Sequence, residues 1–289
     1  MNESDRRPFG LVFFAKNQRC AQLCNEVARW MQNERIPFFV DESSVLDLVE
    51  VDYLPTHSLA SQSQYIIVIG GDGSILRASR YCARYGSILV GLHGGTKGFL
   101  TQLDDKNWKQ GFYRLLEGNF RLQKRLMLSA QVLRGNSVLK KFIALNEAVI
   151  KVSSISRIMN FRLEVNGSLV DEYPGDGILI STPTGSTGYS LSAGGPLIQP
   201  EHDLLLMSPI CTHRFKARPC IFRSADVLMV EVLPHSPWVA SEVALTLDGQ
   251  EGYHLEAGDR VRVVSSRYKV KMAVLFEQDF FGTLRSKID

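Results

Sequence analysis

A run of aromatic and β-branched residues, Tyr65–Ile69, ends directly in Gly70-Gly71-Asp72-Gly73-Ser74. The following stretch, Ser74–Tyr85, carries Ile75, Leu76, Ala78, Ser79 and Cys82 on one helical side. A strand that feeds a helix through a glycine turn needs a sheet to lie in and helices to cover that sheet. Neighbouring segments repeat the pattern. Phe9–Ala15 reads as a buried strand, and Gln18–Glu34 as a helix with Leu23, Val27, Trp30 and Met31 at helical spacing. Ile36–Val40 reads as a second strand, Tyr65–Ile69 as a third, and Ser87–Val90 as a fourth that ends at Gly91. Strands alternating with helices pair in parallel through crossover connections.

The texture changes near residue 120. Apolar and polar residues alternate over Phe120–Leu133, Val138–Val152 and Met159–Val165, separated by Arg134-Gly135-Asn136 and Asn166-Gly167-Ser168. Asn-Gly between alternating segments is a strong hairpin signal. Strand-like pieces continue at Ile178–Ser181, Val227–Leu233, Val243–Leu247 and Val261–Ser265. The expected fold is an α/β N-terminal domain, a parallel sheet with flanking helices, plus a β-rich C-terminal domain. The first spans residues 1–118 and the second 119–274, with the chain expected to return to the first at about 275–289 through Gln278–Arg285.

Composition narrows the class. Hydrophobic residues make up 45% and charged residues 22% of 289, ordinary globular values that exclude a disordered or coiled-coil chain. A net charge of +3 is too weak to argue for nucleic acid. The five cysteines, Cys20, Cys24, Cys82, Cys211 and Cys220, are odd in number and include no CxxC pair, which favours free thiols in a reducing cytoplasm. Apolar runs fall far short of the ~20 residues needed to cross a bilayer. Phe9–Ala15 is followed at once by Lys16 and Arg19, unlike a secretory signal. A soluble cytoplasmic protein is expected, with neither nucleic acid nor membrane as partner.

Four motifs carry chemistry. In Gly70-Gly71-Asp72-Gly73 the glycines let backbone approach a ligand closely, and amides at a helix N-terminus favour phosphate. Asp72 would repel an anion, so it fits a proton acceptor for an attacking hydroxyl or a metal holder. The same residues also fit a tight turn in which Asp72 caps the helix. The second motif, Gly91-Leu92-His93-Gly94-Gly95-Thr96-Lys97-Gly98-Phe99-Leu100, also follows a strand. Both loops would then lie at the carboxyl edge of a parallel sheet, where ligands bind. His93 and Lys97 can face a phosphate there, or simply ride on a glycine-rich connection. The third is Asn146-Glu147 inside the apolar run Phe142–Ile150. A buried charge needs partners, either a ligand's hydroxyl and base or the neighbouring backbone.

The fourth is the most informative. Asp176 precedes an apolar strand that enters Ser181-Thr182-Pro183-Thr184-Gly185-Ser186-Thr187-Gly188-Tyr189-Ser190-Leu191-Ser192, followed by Ala193-Gly194-Gly195-Pro196. This reads as a loop rich in neutral donors and acceptors, suited to a base edge, a ribose or a carboxamide. Gly185-Ser186-Thr187-Gly188 lacks the Gly-x-Ser-x-Gly spacing of a nucleophilic serine. Nine basic residues lie between Phe120 and Arg162 against one acid, Glu147, and apart from Arg157 they read as a solvated strand face. His213, which follows a turn expected at Ser208-Pro209, fits either a site or an ordinary loop position. No His, Cys or Asp cluster has zinc-ligand spacing.

In this order the four motifs resemble the NAD kinase family, from about Tyr65 to Gln250. Gly70-Gly71-Asp72-Gly73 alone is shared with lipid and sugar kinases; Ser181–Pro196 and Asn146-Glu147 are far more specific. The resemblance implies the two-domain NAD kinase fold and transfer of the γ-phosphate of ATP, or of polyphosphate in some relatives, to the 2′-hydroxyl of the adenosine ribose of NAD. Asp72 matches the proton acceptor, Gly73 an adjoining backbone contact, and Arg77 a basic position near the phosphates. Asn146 and Glu147 match the pair that contacts adenosine, and Arg157 a basic binding position. Asp176 matches the acid at the nicotinamide end. Thr187, Gly188, Tyr189, Ser190, Leu191 and Ser192 match the segment around the dinucleotide, and Gln250 a polar contact near the C-terminus. A divalent cation, magnesium, is implied as a companion of ATP, with no dedicated protein ligand. Dimers or tetramers are usual in the family.

Departures bear on affinity more than on the reaction. They are Ser74 for a common Thr, His93 for a common Asn, Lys97 for an apolar residue, Gly188 for Ala, Pro174 for a base, and Thr212 for Pro. The competing readings are a non-catalytic NAD(P)-binding sensor and a lipid or sugar kinase that shares the Gly-Gly-Asp-Gly loop.

Overall fold

The computed structural model describes residues 8–13, 18–44, 50–95, 97–152, 159–212, 217–233, 243–277 and 280–288. In chain order the elements begin with β1 (Phe9–Phe13), α1 (Gln18–Asn33), β2 (Phe38–Asp41), β3 (Tyr53–Leu54), α2 (Thr56–Gln62) and β4 (Tyr65–Ile69). Next come α3 (Asp72–Tyr85), β5 (Ile88–Leu92), α4 (Trp108–Glu117), β6 (Arg121–Arg134), β7 (Ser137–Ala144) and β8 (Glu147–Val152). Then follow β9 (Met159–Val165), β10 (Ser168–Gly175), β11 (Gly177–Ser181), a 3₁₀ turn (Thr184–Thr187) and α5 (Tyr189–Ser192). The chain closes with β12 (Leu204–Ile210), β13 (Cys220–Arg223), β14 (Leu228–Val232), β15 (Val243–Leu247), β16 (Glu251–Leu255), β17 (Arg260–Val274) and α6 (Phe280–Ile288).

Two compact units result: Met1–Lys124 with Val270–Asp289, and Arg125–Lys269. Both crossings between them fall inside long strands, β6 and β17, rather than in connections.

The first unit is α/β. Its strands run in the order β3-β2-β1-β4-β5-β17, every pairing parallel. Parallel strands covered on both faces read as continuous apolar runs, and β1 and β4 are buried at all five positions. The strand order reverses direction between β1 and β4, and the crevice outside the carboxyl ends at such a point is where open α/β sheets bind ligands. The glycine loop that leaves β4 sits there. On α3 the buried face includes Ile75, Leu76, Ala78, Ser79 and Cys82, the residues expected from spacing. Trp30 of α1 is half-buried and meets Trp108 of α4 edge-on at 5.5 Å.

The second unit is β-rich. One sheet has the order β13-β12-β11-β8-β15-β16, antiparallel throughout. Elsewhere in the unit β10, β9, β14 and the first part of β17 pair in sequence, and β6 pairs with β7. The Asn166-Gly167 turn joins β9 to β10 with positive φ at both residues (53° and 81°), the geometry a two-residue hairpin demands. The Asn166 amide also donates to Asp226 (2.9 Å) and accepts from Val227 N–H (2.9 Å), so it ties the turn to the next strand.

Four expectations need correction. The fourth strand does not end at Gly91 but runs through it to Leu92; glycine is required because a Cβ there would lie 2.5 Å from Ile75 Cδ1 and 2.9 Å from Leu100 O. Val138–Val152 is not one strand, since it breaks at Leu145-Asn146 into β7 and β8. Ser208-Pro209 is no turn; both residues lie in β12, paired with Leu179 and Ile178. Finally, not all the basic residues form a solvated face. Arg125 is buried, Arg134 forms two hydrogen bonds to Asp259 (2.8 and 3.0 Å), and Arg162 bridges Glu172 and Glu231.

Phe112 of α4 is fully buried and lies within 6.3 Å of the rings of Phe9, Trp30 and Trp108. Phe112→Ala is expected to cost about 3–5 kcal/mol. Chemical denaturation followed by intrinsic fluorescence checks this, and a change well under that range would show that the three rings close over the gap.

Candidate functional site

In the first unit, β4 ends at Ile69 and α3 begins at Asp72 with Gly71 as its N-cap residue and no side-chain cap. Asp72 does not cap its own helix. Its carboxylate instead accepts from Phe99 N–H (2.8 Å, Oδ2) and Leu100 N–H (3.0 Å, Oδ1) in the second glycine loop. A Cβ on Gly98 would stand 1.8 Å from Asp72 Oδ1 and 2.4 Å from its Cγ, so only glycine admits the carboxylate. Cβ positions at Gly71 and Gly73 face open space, with no atom within 4 Å. None of Gly70, Gly71 and Gly73 has positive φ, so these glycines serve access rather than a left-handed turn. Arg77 and Lys97 are exposed, and His93 is half-buried with its Nδ1 unpartnered.

The second unit assembles a different group. Asn146 and Glu147 stand where β7 gives way to β8. The N–H groups of Leu145, Asn146 and Glu147 all donate to the Asp248 carboxylate (3.0, 2.8 and 3.2 Å). Asp248 begins the β15–β16 turn with φ 50°, followed by Gly249 at 64°. Backbone is thus satisfied by a side chain, whereas the side chains of the pair are not satisfied by backbone. Asn146 Oδ1 and Glu147 Oε2 are buried without a hydrogen-bond partner. Glu147 is only 7% exposed. Burial, reinforced by Asp248, pushes its carboxyl up to about 8. A Cβ on Gly188 would lie 3.3 Å from Asn146 Nδ2 and 3.4 Å from Glu147 Oε2.

The hydroxyl-rich run is not the open loop expected. It folds into the 3₁₀ turn and α5, and its inner hydroxyls are spent internally. Ser181 donates to Thr182 O (2.8 Å) and Thr182 to Leu145 O. Ser186 donates to Ile198 O (3.1 Å) and accepts from Ile198 N–H (3.0 Å). Ser190 is buried against Ser208, and Thr187 donates to Thr184 O (3.3 Å). The outward groups are Tyr189 and Ser192, with Thr187, Gly188 and Leu191 half-buried.

A second cluster sits at the other end of β11. Asp176 is exposed, and its carboxylate, which hydrogen-bonds the Cys211 thiol, holds that thiol above its ordinary value. Burial, then Cys211 and Asp176, raises the Tyr189 hydroxyl. Lys151 Nζ lies 6.0 Å from the Tyr189 ring centre. Register places Glu147 opposite Ser181 and Lys151 opposite Gly177, so the two clusters stand about four residues, roughly 13 Å, apart along the strand. Gly188 lies against the Asn146-Glu147 pair, and the next residue, Tyr189, faces Lys151. Gln250 is exposed in the β15–β16 turn. Arg157 and His213 lie outside the described residues.

Sequence reasoning missed Asp248, although Asp-Gly between two alternating segments marks a hairpin turn. Among the described residues no cluster of three or more His, Cys, Asp or Glu side chains can hold a metal ion, and no helix is long and apolar enough to cross a membrane.

A doubly wound α/β unit with a glycine loop at its switch point, and a β unit with unsatisfied buried polar atoms, define a two-unit protein of the nucleotide-handling class. Comparison with known proteins makes this specific. Residues 9–120 match the ATP-NAD kinase N-terminal domain and residues 145–275 the ATP-NAD kinase C-terminal domain. NAD kinase of Desulforamulus reducens is 34% identical over 280 residues, 96% of each chain. NAD kinase of Aquifex aeolicus is 37% identical over 281 residues, 96% of this chain and 97% of that one. The fold is also that of yeast NADH kinase complexed with NADH (TM-score 0.86, 20% identity, 98% of this chain and 87% of the other). It is shared with an Archaeoglobus fulgidus NAD kinase in complex with ATP (TM-score 0.75, 20% identity, 96% and 99%). This chain belongs to the NAD kinase family.

Because folded Glu147 keeps its proton to about pH 8, the native state binds more protons than the unfolded chain above the ordinary carboxylate range. Its contribution to stability is full at low pH and is lost as pH rises toward 8, by about 1.4 kcal/mol for each unit of separation. The unfolding midpoint should fall between about pH 5 and pH 9, and Glu147→Gln should flatten that fall. Calorimetry across this range decides, and an unchanged slope in the variant would assign the effect to another group.

Proposed function

We propose that this protein transfers the γ-phosphate of ATP to the 2′-hydroxyl of the adenosine ribose of NAD, forming NADP. The observation that carries the reading is the pair of buried polar atoms without partners, Asn146 Oδ1 and Glu147 Oε2. Such atoms cost free energy unless a ligand meets them. A protonated Glu147 offers an O–H donor beside an amide that both donates and accepts, which suits the mixed edge of adenosine. The cluster of Asp176, Tyr189 and Lys151, roughly 13 Å along the sheet, suits the nicotinamide end of the same dinucleotide. Thr187, Gly188, Leu191 and Ser192 line the stretch in between, Ser190 holds it from inside, and Gln250 adds an exposed polar contact.

In the first unit the open backbone at Gly71 and Gly73 suits phosphate, with Arg77 nearby on α3, and Arg157 is proposed, from the family resemblance alone, as a further basic binding residue. The ribose oxygen bonds to the γ-phosphorus, the bond from that phosphorus to the bridging oxygen breaks, and ADP leaves. The hydroxyl proton passes to Asp72. A carboxylate is a weak base, but phosphoryl transfer depends mainly on positioning and charge neutralisation, so a late proton acceptor suffices. The donor enters as its magnesium complex, the ion being held by phosphate oxygens and water. ATP is proposed as donor, with polyphosphate the alternative.

The test incubates purified protein with Mg²⁺, NAD or NADH, and ATP or polyphosphate, and reads the 2′-phosphorylated product with an NADP-specific dehydrogenase. Product is expected from ATP and NAD. Asp72→Asn keeps the shape but can accept from only one of the Phe99 and Leu100 N–H groups, and should lose roughly 10²–10⁴-fold in turnover. Gly98→Ala should lose a comparable factor, because its Cβ would occupy the carboxylate's place. Tight NAD binding without product would instead favour a non-catalytic sensor, and near-wild-type turnover in Asp72→Asn would remove Asp72 from its role.

A further inference from the structure

We propose that Thr101, together with Gly98, is a positioning residue that sets the orientation of the Asp72 carboxylate; this rests on the function proposed above. Thr101 is 1% exposed, and its hydroxyl oxygen accepts from Gly98 N–H at 2.8 Å. That bond links the ends of the segment Gly98–Thr101, backbone to side chain. Within it the N–H groups of Phe99 and Leu100 reach one oxygen each of Asp72 at 2.8 and 3.0 Å. Two donors on two oxygens fix the plane of the carboxylate and leave its remaining lone pairs at set directions. Glycine at 98 is needed for the same contact from the other side, since a Cβ would stand 1.8 Å from Oδ1.

The segment is itself anchored. Gly91 O accepts from Gln102 N–H and Leu103 N–H, both at 3.1 Å. Leu100 O and Thr101 Cα press on the spot where Gly91 lacks a Cβ (2.9 and 3.0 Å). The Gln102 amide donates to Ala273 O (2.6 Å) and accepts from Leu275 N–H (3.0 Å), which ties the segment to the strand that returns at the end of the chain. Thr101 therefore acts on the reaction through Asp72 without touching substrate.

Thr101→Val keeps the shape and removes the acceptor, leaving the buried Gly98 N–H without its partner. Its kcat should fall roughly 10–100-fold, while KM for NAD and ATP stays within about twofold. Thr101→Ser, which retains the hydroxyl, should recover most of kcat. A readout independent of turnover is amide hydrogen exchange at Phe99 and Leu100. Both should exchange slowly in the wild type and in Thr101→Ser, and faster in Thr101→Val and in Asp72→Ala. Wild-type kcat and exchange in Thr101→Val would overturn the proposal. So would equal impairment of the Val and Ser variants, which is the mark of packing alone. Should Thr101→Val fail to fold, Thr101→Ala takes its place: faster exchange at Phe99 and Leu100 with lowered kcat is expected, and wild-type exchange and kcat there would overturn the proposal. A protein that makes no NADP yet shows this exchange pattern would lose the proposed function and keep the clamp.

Discussion

Two backbone N–H groups from one loop hold the carboxylate that opens a helix in another. The bonds from Phe99 and Leu100 to Asp72 join the segments that leave β4 and β5. Much of the first unit is arranged to make this contact possible. Parallel pairing puts both loops at the same carboxyl edge, and Gly91 and Gly98 clear the space. The returning strand braces the segment through Gln102. The final helix adds Phe280, whose ring centre lies 6.4 Å from that of Phe99, and Lys287, whose Nζ lies 5.1 Å from the same centre. The chain's return at its end thus supports the loop that carries the clamp.

The β-rich unit uses the opposite arrangement. Asp248 gathers three consecutive N–H groups and fixes the backbone of Leu145, Asn146 and Glu147. With that backbone satisfied, the side chains of the pair are held against a glycine and left polar, buried and unpaired. A buried polar group without a partner costs free energy, which is the physical ground for the ligand proposed to meet this pair. Its proximity to Asp248 adds to burial in keeping Glu147 protonated, so the unit presents a donor where the sequence shows only an acid.

Hydroxyl-rich sequence is easily taken for a binding loop. Here Ser181, Thr182 and Ser186 satisfy one another's surroundings and neighbouring carbonyls. Gly185 approaches so closely that a Cβ would lie 2.4 Å from Asn146 O. The inner residues build the support, and Tyr189 and Ser192 face outward.

The parallel sheet, the faces of α1 and α3, and the Asn166-Gly167 hairpin were legible because local periodicity and turn chemistry dictate them. Helix α4 was legible in principle, since Trp108, Phe112 and Leu115 fall at helical spacing before Gly118, which has φ 72°. Strand β12 was obscured by Pro209, which sits inside the sheet although proline there usually signals a break. The motifs around Asp72, Glu147 and Gly188 could be named from order and residue type alone. What residue order could not supply was the partner of each group. That Asp72 turns to another loop rather than to its own helix, and that Asp248 stands beneath Glu147 from a hundred residues away, depend on contacts that only folding brings together. Such contacts leave no periodic trace in the chain.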